Sequence, residues 1–318
     1  MTTIRPFTKN DYPAVVEINN LIWLVEPTTV EELSTADQHR DPKCNHERWV
    51  AEQDGVIVGT AQYDQLAGRY HPDKYWLEIE VHPDYQRQGI GTALYEQVIN
   101  GVQAHNPWLA RVAFQGNMTA AHHFLERYGY AEEWRSWDWK LDVPNYQPPA
   151  EASALLVQLE EEGFEIRTYT ELADDPDRSR RLYELHESTR QDAPFPDPAT
   201  AWPYEAYLAT LESGLDPDGY FVAIHKGDYV ALSVIEKEDP GEEVDTGWTG
   251  VRKDYRGRGL ALALKLKVIE YAKEKGHPII WTTNNSLNYP MMAINQKIGY
   301  ERDIAWVYYR KFFREETK

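Results

Sequence analysis

The sequence predicts a mixed α/β (α+β) chain built as two tandem domains. Three observations carry this: a duplicated motif, the same order of elements around each copy, and two hairpin signals that open a mostly antiparallel sheet. The motif VHPDYQRQGIGTALYEQVI, Val81–Ile99, returns as VRKDYRGRGLALALKLKVI, Val251–Ile269, 170 residues later. Gly129-Tyr130 and Gly299-Tyr300 keep that offset, whereas Ile4-Arg5 and Ile166-Arg167 lie 162 residues apart. The second copy therefore carries a net insertion early on. A chain of 318 residues suits two domains. Copies this long are two similar domains, not a solenoid of short repeats.

The elements follow in the same order in each half. A strand is expected at Thr3–Phe7 and again at Glu165–Tyr169. Helices follow at Asp11–Trp23 and Val30–His39, and in the second half at Arg178–Thr189 and Tyr204–Leu211. Asp54-Gly55 and Gly227-Asp228 read as two-residue hairpin turns between apolar runs. Strands Tyr75–His82 and Asp245–Arg252 lead into the repeated motif, which opens a helix. A strand (Arg111–Gln115; Pro278–Thr283), a second helix and a closing aromatic strand pair complete each copy. Pro144, Pro148 and Pro149 break regular structure, and EASALLVQLEEE reads as a short packed helix stopped by Gly163. The expected domains are 1–143 and 164–318, with 144–163 connecting them.

Composition narrows the function. A net charge of −19 argues against nucleic acid, whose phosphates need a basic footprint. The same charge is compatible with a cationic substrate and equally with plain solubility. No apolar run approaches the ~18 residues of a membrane span, and the N-terminus lacks the apolar core of a secretory signal. The single cysteine, Cys44, excludes an intrachain disulfide and a thiolate metal cluster. A cytoplasmic protein without a metal is expected.

The motif itself suggests an anion site. Gln86, Arg87, Gln88, Gly89, Ile90, Gly91 and Thr92 follow a strand and open an amphipathic helix. The first amides of a helix have no partner inside it and carry the positive end of its dipole. A phosphate or pyrophosphate fits there, and Gly89 and Gly91 let the backbone approach it. Arg256, Gly257, Arg258, Gly259, Leu260 and Ala261 repeat the arrangement. A ligand-free strand-to-helix turn is the competing reading of one copy, and duplication favours the ligand. A Rossmann site lacks its third glycine here, and a Walker loop lacks GK[ST].

These residues resemble the signature of the GNAT acetyltransferase superfamily. Asn117…Ala120-Ala121…Phe124-Leu125…Gly129-Tyr130 is similar to the second motif of that family, as is Asn288…Met291…Ile294-Asn295…Gly299-Tyr300. The resemblance covers both halves and suits a tandem member with mycothiol synthase-like architecture. It implies that the strand before each turn splays from its neighbour. Acetyl-CoA would lay its pyrophosphate on the two turns and its pantetheine along the splayed strands. The Val81 or Val251 amide would face the thioester carbonyl and stabilise its oxyanion. Asn117 and Asn288 would contact CoA or cap their helices. The expected partners are acetyl-CoA and a small amine, with the chain a monomer (a pseudo-dimer of its halves) or a homodimer.

For acid–base work Glu78 and Glu80 share one strand face. They could hold a water or bind a cationic amine; a solvated face of an edge strand fits the same pattern. Their counterparts are Trp248 and Gly250. The family's usual acid, a Tyr in the second motif, is replaced by Leu125 and Asn295. His122 and His123 are alternative acids, though such histidines are more often structural. The acceptor site is expected in the segments Glu26–Asn45 and Gln191–Leu215. Trp23, Trp49, Trp202, Tyr204 and Tyr207 are its candidate walls, with core packing the stronger reading. The expected function is acetyl-CoA-dependent N-acetylation of a primary amine on a small cationic molecule. The alternative is a non-catalytic acyl-CoA-binding tandem module.

Overall fold

The computed structural model describes residues 2–24 and 27–315. They form two compact units. Unit 1 runs up to Phe114, then takes Met118–Glu133 and the chain from Val307 onward; unit 2 holds Gln115–Asn117 and Trp134–Trp306.

In unit 1, β1 (Thr2–Pro6), β2 (Glu47–Gln53), β3 (Val56–Asp64) and β4 (Lys74–Val81) pair antiparallel in chain order. Strand β5 (Leu109–Gln115) joins β4 in parallel. Helices α1 (Tyr12–Ile22) and α2 (Val30–Gln38) lie between β1 and β2, α3 (Ile90–Gln103) between β4 and β5, and α4 (Thr119–Arg127) after β5. The parallel step follows from α3, because a crossover helix returns the chain in the same direction. Ile90, Leu94, Val98 and Val102 form the buried stripe of α3 and pack on Ala51, Val58 and Leu77 of the sheet.

Unit 2 repeats the plan. Strands β7 (Phe164–Thr168), β8 (Leu215–His225), β9 (Asp228–Glu236) and β10 (Val244–Val251) pair antiparallel, and β11 (Ile279–Asn285) joins β10 in parallel. Its helices are α6 (Arg178–Gln191), α7 (Tyr204–Ser213), α8 (Leu260–Lys275) and α9 (Tyr289–Ile298). The connecting stretch holds α5 (Ala152–Glu161), which packs on α8 and β7 and ends before Gly163 at φ 85°.

Two sequence expectations are corrected, and the partners of the closing strands are added. The second hairpin turns on Lys226-Gly227, one residue before the expected pair. Both have positive φ, as Asp54 and Gly55 do, and the glycine takes the second place each time. The closing aromatic pair of each half is one long strand, β6 (Ala131–Asp142) or β12 (Glu301–Phe312). Their partners are not those of simple chain order. From Ser136 to Asp142, β6 pairs antiparallel with β11 in unit 2. The end of β12 completes unit 1, where Val307 and Tyr309 enter the core and His122 Nδ1 meets Tyr309 Oη at 3.0 Å.

Candidate active site

Both repeated turns take the same backbone path. Arg87 (φ 63°) and Gly89 (φ 86°) are left-handed, as are Gly257 (φ 79°) and Gly259 (φ 86°). At Gly89 a Cβ would meet nothing within 4 Å, so the backbone angle is what requires glycine there. At Gly91 a Cβ would stand 3.6 Å from Val81, an ordinary contact, consistent with Ala261 in the second copy. The first bonds into the helices are Ala93 N to Gly89 O and Ala263 N to Gly259 O. The amides of Ile90, Gly91 and Thr92 thus have no partner inside α3. Those of Gln86 and Arg256 differ: they bond to Pro83 O and Lys253 O. Their side chains also turn back, Gln86 Nε2 to Val81 O at 3.1 Å and Arg256 Nε to Val251 O at 3.0 Å. Gln88 Nε2 reaches Asp84 O.

The strand ahead of each turn is splayed. β4 pairs with β5 only from Lys74 to Trp76, and β10 with β11 only at Val244 and Asp245. Beyond these points, among the described residues, no strand is paired with the facing edges of β4 and β10. His82 N bonds to Val58 O and Arg252 N to Val230 O. Amides alternate along an antiparallel strand. The Val81 and Val251 amides therefore face the open edge, where an extended ligand can add as a strand.

The two units differ in what lies beside this edge. In unit 1, Glu80 is buried; its Oε1 accepts from Trp23 Nε1 at 2.5 Å and Asn19 Nδ2 at 3.1 Å. Burial, with the Glu78 charge adding to it, pushes its carboxyl up to about 7 against the pull of those two donors. Glu78 Oε2 accepts from Gln62 Nε2 at 2.5 Å. Glu78 is exposed to solvent at the rim of the cavity it shares with Glu80, and desolvation by the surrounding protein pushes its carboxyl up too, against the pull of Gln62. Both carboxylates border a cavity of about 50 Å³, walled also by Asn19, Thr28, Arg48 and Gln62. In unit 2 this place is filled. Trp248 Nε1 donates to Thr189 Oγ1 at 3.0 Å, and a Cβ on Gly250 would collide with that same threonine. Arg256 is paired with Asp192 at 2.9 Å, and Leu155 stands 2.6 Å from where a Cβ on Gly259 would be.

The remaining expected residues fall as follows. Asn117 is exposed and groups with unit 2, and Met118 takes the N-cap of α4. Asn288 is the N-cap of α9 and accepts from Met291 N. Leu125 and Asn295 are both buried. His123 is exposed, and Cys44 is buried. Trp49 and Tyr207 are core residues, while Trp23 reaches the carboxylate pair. Glu26, at the head of the expected acceptor segment, lies outside the described residues. Asn19, Gln62 and Arg48 were not expected at the site. The one signal for Asn19 is an amide side chain next to the buried face of α1, one residue from Ile18.

Comparison with known proteins agrees with this geometry. The acetyltransferase (GNAT) family model matches residues 13–130 and again 180–300, more than half of the chain. The chain belongs to the GNAT acetyltransferase family, as a tandem member and an acetyltransferase. It is similar to the mycothiol acetyltransferase of Acidothermus cellulolyticus, 24% identical over 271 residues, covering 81% of this chain and 76% of that one. The mycothiol acetyltransferase of Thermobifida fusca is 23% identical, with 79% and 77% covered. Among solved structures, a GCN5-related N-acetyltransferase from Sphaerobacter thermophilus superposes with a TM-score of 0.71 at 20% identity, covering 99% and 97%. A tandem GNAT protein from the clavulanic acid biosynthesis pathway gives 0.69 at 18% identity, with both chains covered completely. These two show the shared fold. Among the described residues no helix is long and apolar enough to cross a membrane, and no group of three or more His, Cys, Asp or Glu could hold a metal ion.

Proposed function

We propose that this chain transfers the acetyl group of acetyl-CoA to the primary amine of a small cationic molecule, and that the chemistry belongs to unit 1. The observation that carries this reading is the Glu78/Glu80 pair beside the open edge of β4. The pyrophosphate would rest on the amides from Arg87 to Thr92, and the thioester carbonyl would meet the Val81 amide. Glu80 takes one proton from the bound ammonium. The neutral nitrogen then attacks the carbonyl carbon, and a carbon–nitrogen bond forms. Collapse of the intermediate breaks the carbon–sulfur bond, and the second nitrogen proton ends on the thiolate through solvent. Amide and free thiol result, and Glu80 returns its proton to water.

Unit 2 supports a second role. With Thr189 against Gly250 and Trp248 in place of a carboxylate, it would bind CoA through Gly257–Ala261 and Val251 without turning it over. The domain limits 1–143 and 164–318 remain the proposed evolutionary repeats. A screen of amines with acetyl-CoA, following free thiol, tests the reading. Thiol release with cationic primary amines is expected. Release no faster than hydrolysis for every amine would leave a CoA-binding module.

A further inference from the structure

Behind Glu78 runs a chain of side chains with only one possible polarity. Arg48 Nη1 and Nη2 grip Asp37 at 2.7 and 3.2 Å, and its guanidinium stacks over Phe7 at 4.9 Å. Arg48 Nε donates to Gln62 Oε1 at 2.6 Å, and His46 Nε2 meets that oxygen at 3.3 Å. A guanidinium has donors and no acceptor, so Arg48 fixes which end of the Gln62 amide faces it. The NH₂ end must then face Glu78, and it needs an oxygen lone pair there. Glu80 is held separately through Oε1 by Trp23 and Asn19. Each carboxylate therefore has one oxygen engaged. Among the described residues no donor is recorded on Glu78 Oε1 or Glu80 Oε2. The two side chains share a strand face and the same cavity.

We infer that Gln62 and Arg48 are positioning residues that make Glu78 the anchor of the acceptor ammonium, leaving Glu80 to take its proton. The inference rests on the acetyl-transfer reading above. It divides labour between two acids that otherwise look equivalent. Glu78 must stay ionised to hold the cation, and the Gln62 donor favours that state. The other charged groups facing Glu78 are Glu80 on its own strand, Arg48 from β2 and Arg40 from the segment after α2. Arg48 is neutralised by Asp37, so it does not invite an anionic acceptor.

The test uses the full chain with acetyl-CoA, glycinamide and 1,4-diaminobutane. Gln62→Leu removes the donor, and Arg48→Lys keeps the charge but cannot span Asp37 and Gln62. Both variants should raise KM for the amine about tenfold, as loss of a charge-assisted hydrogen bond does. They should leave kcat within about twofold and shift the rising limb of kcat/KM to higher pH. The ¹³C carboxyl titration of Glu78 should move up with it. A variant that loses kcat at unchanged KM, with Glu78 titrating as before, overturns the division of labour while acetyl transfer stands. A wild-type chain that releases no thiol with any amine overturns both readings, and is a different result.

Discussion

Trp23 Nε1 donates to Glu80 Oε1 at 2.5 Å, joining the end of α1 to the strand that carries the acid pair. An indole N–H can only donate, so it favours the ionised carboxylate. Replacing it with Phe removes that help while keeping the ring. The pKa of Glu80 should rise from about 7. The rising limb of kcat/KM should therefore move to higher pH, with full activity recovered at alkaline pH. An unshifted pH profile in Trp23→Phe would remove Glu80 from the role of base.

Glu80→Gln should trade activity for stability. Loss of a general base typically costs 10²–10⁴-fold in kcat. The folded pKa is raised above the unfolded value near 4.5. The folded state then binds the extra proton between these values, so stability falls as pH rises through that window. The glutamine never pays for a buried charge. Its Tm should exceed that of wild type at pH 8 and match it at pH 4. Equal Tm at both pH values would mean that Glu80 is not buried as a charge.

Much of this was legible in the sequence, and the limit has a physical cause. Turns are local, so Gly89, Gly259 and Asp54-Gly55 announce themselves through the left-handed backbone that glycine permits. The face shared by Glu78 and Glu80 is local too, since strands repeat every two residues. The contacts that give the pair its chemistry are not local. Trp23 lies 57 positions from Glu80, and Asn19 lies 61. No periodicity links them. The partners of β6 and β12 were hidden for the same reason, because an alternating aromatic strand fits any open edge equally well.

The end of β12 gives a stability prediction. Val307 is fully buried in the core of unit 1, although it stands almost at the end of the chain. Val307→Asp places an unpaired charge there, at a cost of several kcal/mol. Hydrogen exchange should show lost protection in α3, β4 and β5, with β8 and β9 of unit 2 retaining theirs. Equal loss in both units would show that they unfold as one body.

Gly89→Glu and Gly257→Glu test the two CoA turns. Both positions are left-handed and neither has a neighbour within 4 Å of an added Cβ, so each variant should fold. The strain is about 1 kcal/mol, and the new carboxylate repels a pyrophosphate. Calorimetry with CoA should give two sites in wild type and one in either variant. Two sites surviving in both folded variants would place the phosphates elsewhere.

The acceptor prediction now rests on local charge and not only on the net charge of −19. Glu78 and Glu80 border the cavity, while the cations nearest to them are spent: Arg48 on Asp37, and Arg40 on Asp37 and Asp64. The local field should therefore attract an ammonium and repel an anion. Such attraction weakens as salt screens it over about 10 Å at 0.1 M. Raising ionic strength from about 0.01 to 0.3 M, a range that takes the screening length from ~30 Å to well under 10 Å, should lower kcat/KM for 1,4-diaminobutane. A monoamine such as glycinamide should fall less, because it carries one charge fewer. Acetyl-CoA is an anion and responds to salt on its own account, so it must be held saturating throughout. If the diamine and a neutral hydroxylamine then show the same salt dependence, the two carboxylates do not select the acceptor by charge.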